Sequence, residues 1–437
     1  MWKICAASIL FFSLKSFCVL TKAESLETLK TQGIRWRQTE LLTREAELTH
    51  KMAKAALAPH LEIAGRELAT KADLTNYGFA DPGPLQIVSF GGVFAQGEVH
   101  LFNKKNFYQE EAARTNIELQ KQTTLQYQND LSFLMLATYV NCQRLGERVK
   151  VFEKNIDRDQ QIVEMAQSKV AAGVGLETDL MRAKGIVGFD NLRKIDAKGD
   201  LDKCRKDLAN TMGLPDLKDE LEPLNYKALH LNTTDPFMKT GIDDRPDVRA
   251  SLLTVQAAKS LKQSSKAETL PTVQLLGEIG YGGNSLTSKN GGNLLGGVGL
   301  QIKLPFLDGG YFDAKAEQGK LNLAKAELQA TQVRVEAEGQ IQAALSKLKT
   351  TKNAADLAEE QVQLAQEELK ITQHRFKSGA SSGPDLAASQ NNLSNVLLNQ
   401  IEVISANEIA KINYYRSTSD LSFYVAQDAG AQDSGKQ

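Results

Sequence analysis

The feature that most limits this chain is a repeat. Lys169-Val170-Ala171-Ala172-Gly173-Val174-Gly175-Leu176-Glu177-Thr178-Asp179-Leu180 returns as Arg375-Phe376-Lys377-Ser378-Gly379-Ala380-Ser381-Ser382-Gly383-Pro384-Asp385-Leu386, at a constant offset of 206 residues. In each copy a basic residue and a hydrophobe end one helix, and a glycine tolerates the left-handed backbone of a helix C-cap. A short polar or acidic side chain follows, Glu177 or Asp179 in the first copy and Ser382 or Asp385 in the second. There the orphan N–H groups of the next helix want an acceptor. Pro384 suits the first helical turn, where its missing N–H costs nothing. Both copies read as tips of long antiparallel helical hairpins, so the fold must use one unit twice.

The flanking segments repeat as well. Pro59 precedes His60-Leu61-Glu62-Ile63-Ala64-Gly65, and Pro271 precedes Thr272 to Tyr281. Gly91-Gly92-Val93 matches Gly296-Gly297-Val298, and Asn103 matches Asp308, at an offset of 205. Val93, Ala95, Gly97, Val99 and Leu101 alternate with Gln96, Glu98 and His100; Val298, Leu300, Ile302, Leu304 and Phe306 alternate with Gln301 and Lys303. Each half therefore carries two strands of about ten residues with one apolar and one polar face, as membrane-barrel strands have. A soluble hairpin with one buried face gives the same pattern. Four strands cannot close a barrel and open edges are not tolerated in lipid, so strands that span a bilayer would need several chains. If Val93 and Val298 face lipid, the pleat turns Gln96, Glu98, Gln301 and Lys303 to the lumen.

The helices after the strands are too long for a globular core. The run from Gly309 to Lys377 lacks proline and would extend roughly 100 Å as one helix. Ile341, Leu348, Ala355, Val362, Leu369 and Phe376 recur every seven residues, with Ala344, Ala358, Ala365 and Thr372 between most of them. That is coiled-coil periodicity with small residues in the seam. Leu321, Leu328 and Val335 keep the spacing in a shifted phase.

The expected segments follow from these signals. Residues 1–23 form a signal peptide, 24–58 a helix, 59–103 the first membrane hairpin and 104–212 the first long helical hairpin, with its tip at 171–178. Residues 213–244, with Pro215, Pro223 and Pro236, form an irregular equatorial segment. The second copy runs as a helix over 245–269, a membrane hairpin over 270–308 and a helical hairpin over 309–424 with its tip at 378–384. Residues 425–437 read as a disordered polar tail. The signal reading rests on Lys3, the apolar Ile4 to Leu20 and a small residue at Ala23 as the cleavage point. A transmembrane anchor is the alternative, and Lys15 in its middle opposes it. Beyond the signal, Cys142 and Cys204 flank Gly173 symmetrically, which puts them level in an antiparallel hairpin. A disulfide is chemically open to an exported chain; two buried free thiols satisfy the same pattern.

Composition excludes several functions. Net charge is -1, so the basic face of a nucleic-acid binder is missing. The five histidines are scattered without metal spacing, and no cofactor, P-loop, dinucleotide or nucleophile-elbow motif appears. No enzyme is expected. Asn232-Thr233-Thr234 fits a glycosylation sequon, a short match that arises often by chance.

Several stretches together carry a resemblance: the doubled turn, Arg245-Pro246-Asp247-Val248, Leu270-Pro271-Thr272-Val273, Val298 to Phe306, and Asp308-Gly309-Gly310. In this order they resemble the outer-membrane efflux protein family, the TolC-like exit ducts. The resemblance implies a mainly α chain with a membrane β-barrel: a homotrimer whose chains each give four strands to one twelve-stranded outer-membrane barrel. The helices would build a hollow periplasmic α-barrel. It implies a passive exit duct of a tripartite efflux or type I secretion system, working with a periplasmic adaptor and an inner-membrane transporter. A structural periplasmic or surface coiled-coil protein without a pore is the alternative.

The resemblance also implies roles at the tips. Asp385 matches an acidic position that can ring the periplasmic entrance, with Thr178 and Asp179 kept on the first tip. Simple complementation of a helix N-terminus explains Asp385 equally. Ala388 replaces a second acid, and Phe376 and Ser381 stand where family members can carry a latching tyrosine and arginine. A charge-paired latch is therefore not carried over. Gly173, Val174, Gly175, Leu176, Gly379, Ala380, Ser381 and Ser382 are the expected adaptor contacts.

Overall fold

The computed structural model describes residues 19–72, 86–217, 219–224, 226, 242–284, 293–419, 421 and 424. Helices α1 (Lys22–Gln32) and α2 (Ile34–Ala55) precede strands β1 (His60–Ala72) and β2 (Gln86–Phe102). Two long helices follow, α3 (Lys104–Ala171) and α4 (Glu177–Met212). A 3-10 turn at Ile242–Asp244 leads into the second copy: α5 (Pro246–Ala267), β3 (Thr272–Asn284), β4 (Asn293–Lys303), α6 (Tyr311–Lys377) and α7 (Gly383–Ser417). The duplication is thus visible element by element.

Some boundaries differ from the sequence reading. The single helix expected over 24–58 is two, because the chain turns at Gly33, whose N–H still bonds the Leu29 carbonyl. The cleavage point expected after Ala23 falls in the first turn of α1, which Thr21 caps. Helix α7 ends at Ser417, Ser419 adopts a φ of 60° just beyond, and Leu421 and Tyr424 are again helical. Most of the signal peptide, most of the irregular segment with its sequon, the hairpin loops and the tail lie outside the described residues.

The chain divides into two units, to which α2, α3 and α6 each contribute residues. One comprises Met1–Glu40, Leu125–Pro246 and Val335–Gln437. Its main core packs Leu29, Met135, Leu136, Tyr139, Leu208, Met212, Ile412 and Tyr415 from α1, α3, α4 and α7. Cys142 and Cys204 are bridged inside that core, joining α3 to α4. A second cluster, Ala365, Leu369, Phe376, Leu386 and Leu393, sits at the tip end of α6 and α7. The expected seam holds here: Ala344, Ala355, Ala358, Val362 and Ala365 are all buried. Arg245 is buried too, donating to the carbonyls of Ser417 and Ala337 and to Gln340 Oε1.

The other unit comprises Leu41–Thr124 and Asp247–Arg334, and it holds the sheet. The strands run antiparallel in the order β1-β2-β3-β4, with β2 on β3 joining the two copies. Beneath the sheet, Glu268 accepts from Lys105 and Lys315, each at 2.8 Å, tying the end of α5 to the starts of α3 and α6. Leu321 and Leu328 do not enter a seam within the unit. They stay exposed while Ala326 and Ala330 are buried.

Candidate functional site

The strand register sorts the side chains onto two faces. Directly opposed residues share a face, so His60, Glu62, Gln96, Glu98, His100, Gln274, Glu278, Gln301 and Lys303 all lie on one side. The four strand positions singled out from the sequence, Gln96, Glu98, Gln301 and Lys303, fall in this set. The opposite face carries Leu61, Ile63, Val93, Leu275, Ile279, Tyr281, Val298, Leu300 and Ile302. That apolar face is uncovered: Leu61, Ile63 and Val298 are 85%, 80% and 81% exposed. At about 25 cal/mol per Å², leaving such a surface in water is costly, whereas lipid accommodates it.

The polar face is shaped by residues that alternation does not reveal. Phe94 belongs to it by register yet is buried, because its ring lies flat over the glycines of β3. A Cβ at Gly280 would stand 2.4 Å from that ring, so only glycine fits beneath it. The Arg66 guanidinium lies 5.6 Å above the same ring and pairs with Glu278 at 2.9 Å, which also accepts from Gln96. Around this group opens a hollow of about 790 Å³, lined by His60, Glu62, Arg66, Gln96, Glu98 and Glu278.

The two tips meet within the first unit. Gly173 (φ 72°) and Gly379 (φ 76°) take the left-handed conformation that ends α3 and α6. Val174 and Ala380 then donate back to the carbonyls of Lys169 and Arg375 at 3.0 and 2.8 Å. Lys169 Nζ donates to the Phe376 carbonyl at 3.1 Å and sits 3.8 Å over the Phe376 ring. Phe376 thus has a partner of its own on the first tip. Asp179 pairs with Arg182 at 3.6 Å and reaches Gly383 on the second tip. Thr178, Gly173, Val174 and Leu176 are exposed, as are Gly379, Ala380 and Ser382; Gly175 and Ser381 are half-buried.

Asp385 is the acid of a capping box. Its carboxylate accepts from the Ser382 hydroxyl at 2.7 Å, the Ser382 N–H at 3.0 Å and the Ser381 hydroxyl at 3.2 Å. The Ser382 hydroxyl and N–H, then the Ser381 hydroxyl, hold it below the usual carboxylate range. Within the chain, Asp385 therefore performs the helix-terminus role. Among the described residues no group of acids, histidines and cysteines could hold a metal ion, and no helix is long and apolar enough to cross a membrane.

A family model described as "Outer membrane efflux protein" matches residues 241–418. The match begins just before Arg245 and covers β3, β4, α6, the second tip and α7. The matched segment, 178 of the 437 residues, is similar to that family. Nodulation protein T of Rhizobium leguminosarum bv. trifolii is 26% identical over 290 residues, 65% of this chain and 60% of the relative. The chain thus spans less than two thirds of that relative. The outer membrane efflux protein BepC of Brucella suis biovar 1 (strain 1330) is 21% identical over 322 residues, 74% and 69% of the two chains. In structure the chain is similar to the outer membrane protein VceC from Vibrio cholerae, with a TM-score of 0.77 at 17% identity over 91% of this chain and 96% of that one. The fold is thus shared with that protein.

Proposed function

We propose that three copies of this chain close one twelve-stranded barrel and form a passive exit duct. The duct would take cargo from an inner-membrane transporter, delivered through a periplasmic adaptor, and release it outside, as in tripartite efflux or type I secretion. The observation that carries this is the sheet: four strands with two open edges, one uncovered apolar face and one polar face. Lipid does not tolerate open edges, so β1 and β4 must be paired by other copies. The helices add support. Leu357, Leu364 and Ile371 form a second apolar stripe on α6, spaced in sevens and exposed at 55%, 64% and 49%. Such a stripe suits a neighbouring copy. A pore-free coiled-coil scaffold would share the helices but has no use for the strand face.

At the periplasmic end, Val174 and Leu176 are 79% and 67% exposed and offer the adaptor an apolar hold beside Gly173, Gly175 and Gly379 to Ser382. Asp385, with Asp179 and Thr178 beside it, would ring the entrance. Repulsion among three copies raises a carboxylate pKa, and the hydrogen bonds from Ser382 and Ser381 oppose that rise. The test is single-channel conductance of the purified protein with its adaptor in a planar bilayer. Discrete cation-selective steps are expected, with selectivity reduced in Asp385→Asn, which keeps a hydrogen-bonding side chain. Absence of any steps in the presence of the adaptor would contradict the duct.

A further inference from the structure

The chain just ahead of α1 is built into the core of the first unit. Leu20 packs against the main cluster and forms a parallel bridge with Leu221. Its N–H donates to the Glu220 carbonyl at 2.8 Å, and its carbonyl accepts from the buried Tyr139 hydroxyl. Thr21 caps α1 in a box with Glu24. Lys22, only 7% exposed, donates to Glu408 Oε1 on α7 and to the Tyr424 hydroxyl, each at 2.9 Å. We propose that Leu20, Thr21 and Lys22 belong to the mature protein, and that a signal peptidase cuts after Cys18 so that the exported chain starts at Val19.

A cut after Ala23 would remove every one of these contacts. Lysine is almost never buried without a partner, and the partner here, Glu408, is itself buried. Burial pushes the Glu408 carboxyl up, but the Lys22 and Lys411 charges and the Tyr424 hydroxyl outweigh it and hold the group below the usual carboxylate range. Taking one member from a buried ion pair is strongly destabilising, because the other charge stays in the core. The same cut would put a new α-ammonium on Glu24, inside the first turn of α1, where the helix dipole disfavours a cation. Val19 lies ahead of the cap and is 46% exposed, so an ammonium there meets water.

The sequence supplies a site at that place. A signal peptidase reads small residues near the bond it cuts, and Ser16-Phe17-Cys18 has them at the third and first positions before Val19. The apolar core of the signal then runs from Ile4 to Leu14, within the usual length of about 7–15 residues. Lys15 no longer interrupts it and falls in the short stretch before the cut. One water hydrolyses the Cys18–Val19 peptide bond, leaving a carboxylate on Cys18 and an ammonium on Val19.

The inference needs export but no pore, so its test is separate from that of the duct. The full-length chain is expressed in a Gram-negative host, and the processed protein from the cell envelope is read by N-terminal sequencing and intact mass. A start at Val19 is expected; a start at Glu24, or at any other residue, overturns the proposal. Cys18→Leu, which puts a bulky residue at the cut, should raise the fraction of unprocessed precursor several-fold. Ala23→Leu, at an exposed position of α1, should be processed like wild type; the reverse pattern overturns the proposal. Lys22→Gln should lower the Tm of the purified mature protein by several degrees. An unchanged Tm would overturn the proposal, because a residue removed with the signal cannot alter the protein left behind.

Discussion

Glu268 shows how much one side chain can organise. Its carboxylate side chain is 7% exposed and is held by Lys105 and Lys315, which join it from two other helices. Burial pushes its pKa up, but the two lysines outweigh that, and the group titrates below its ordinary value. A lowered carboxylate stabilises the fold above its unfolded pKa and loses that contribution as pH falls through the folded value. Glu268→Gln should cost about 2 kcal/mol near neutral pH, and the difference from wild type should shrink in acid. Thermal denaturation at two pH values checks this; a pH-independent difference would remove the charge from the explanation. At this scale the sequence was partly legible. Alternation was enough to put Gln96, Glu98, Gln301 and Lys303 on one face. It could not find Phe94, which interrupts that face only because β3 offers glycines beneath it. Nor could it find the Lys169–Phe376 contact, which depends on how one helix is rotated against another.

At the scale of elements, the period of the apolar residues was the informative signal. The seven-residue spacing marked the buried seam of α6 from Ala344 to Phe376, and the two-residue spacing marked the strands. The shifted phase at Leu321, Leu328 and Val335 was a real stripe on the helix, but these side chains are 63%, 72% and 62% exposed within the chain. Periodicity reports that a stripe will be covered, without saying by which molecule. The strands allow a sharp comparison, since Leu300 and Gln301 are adjacent yet face opposite ways. A lysine at Leu300 would place a charge against lipid, at about 2–4 kcal/mol near the midplane. A lysine at Gln301 would join the polar face at little cost. Leu300→Lys should therefore lower the yield of assembled protein in outer membranes well below that of Gln301→Lys. Equal yields would mean that the faces are assigned wrongly.

For the whole molecule, duplication sets what the described residues present. Both halves spend their residues on the same strand pair and helical hairpin, and the polar groups line faces instead of gathering at one centre. The uncovered surfaces form a consistent set: two sheet edges, one apolar strand face and the stripe at Leu357, Leu364 and Ile371. Each is costly for a solitary chain, and each is removed if copies close around an axis in lipid. The account therefore stands or falls on copy number. Native mass spectrometry of the complex released from outer membranes in mild detergent measures it directly. Three chains per particle is the predicted result; a population of monomers or dimers alone would leave the barrel open and contradict the account.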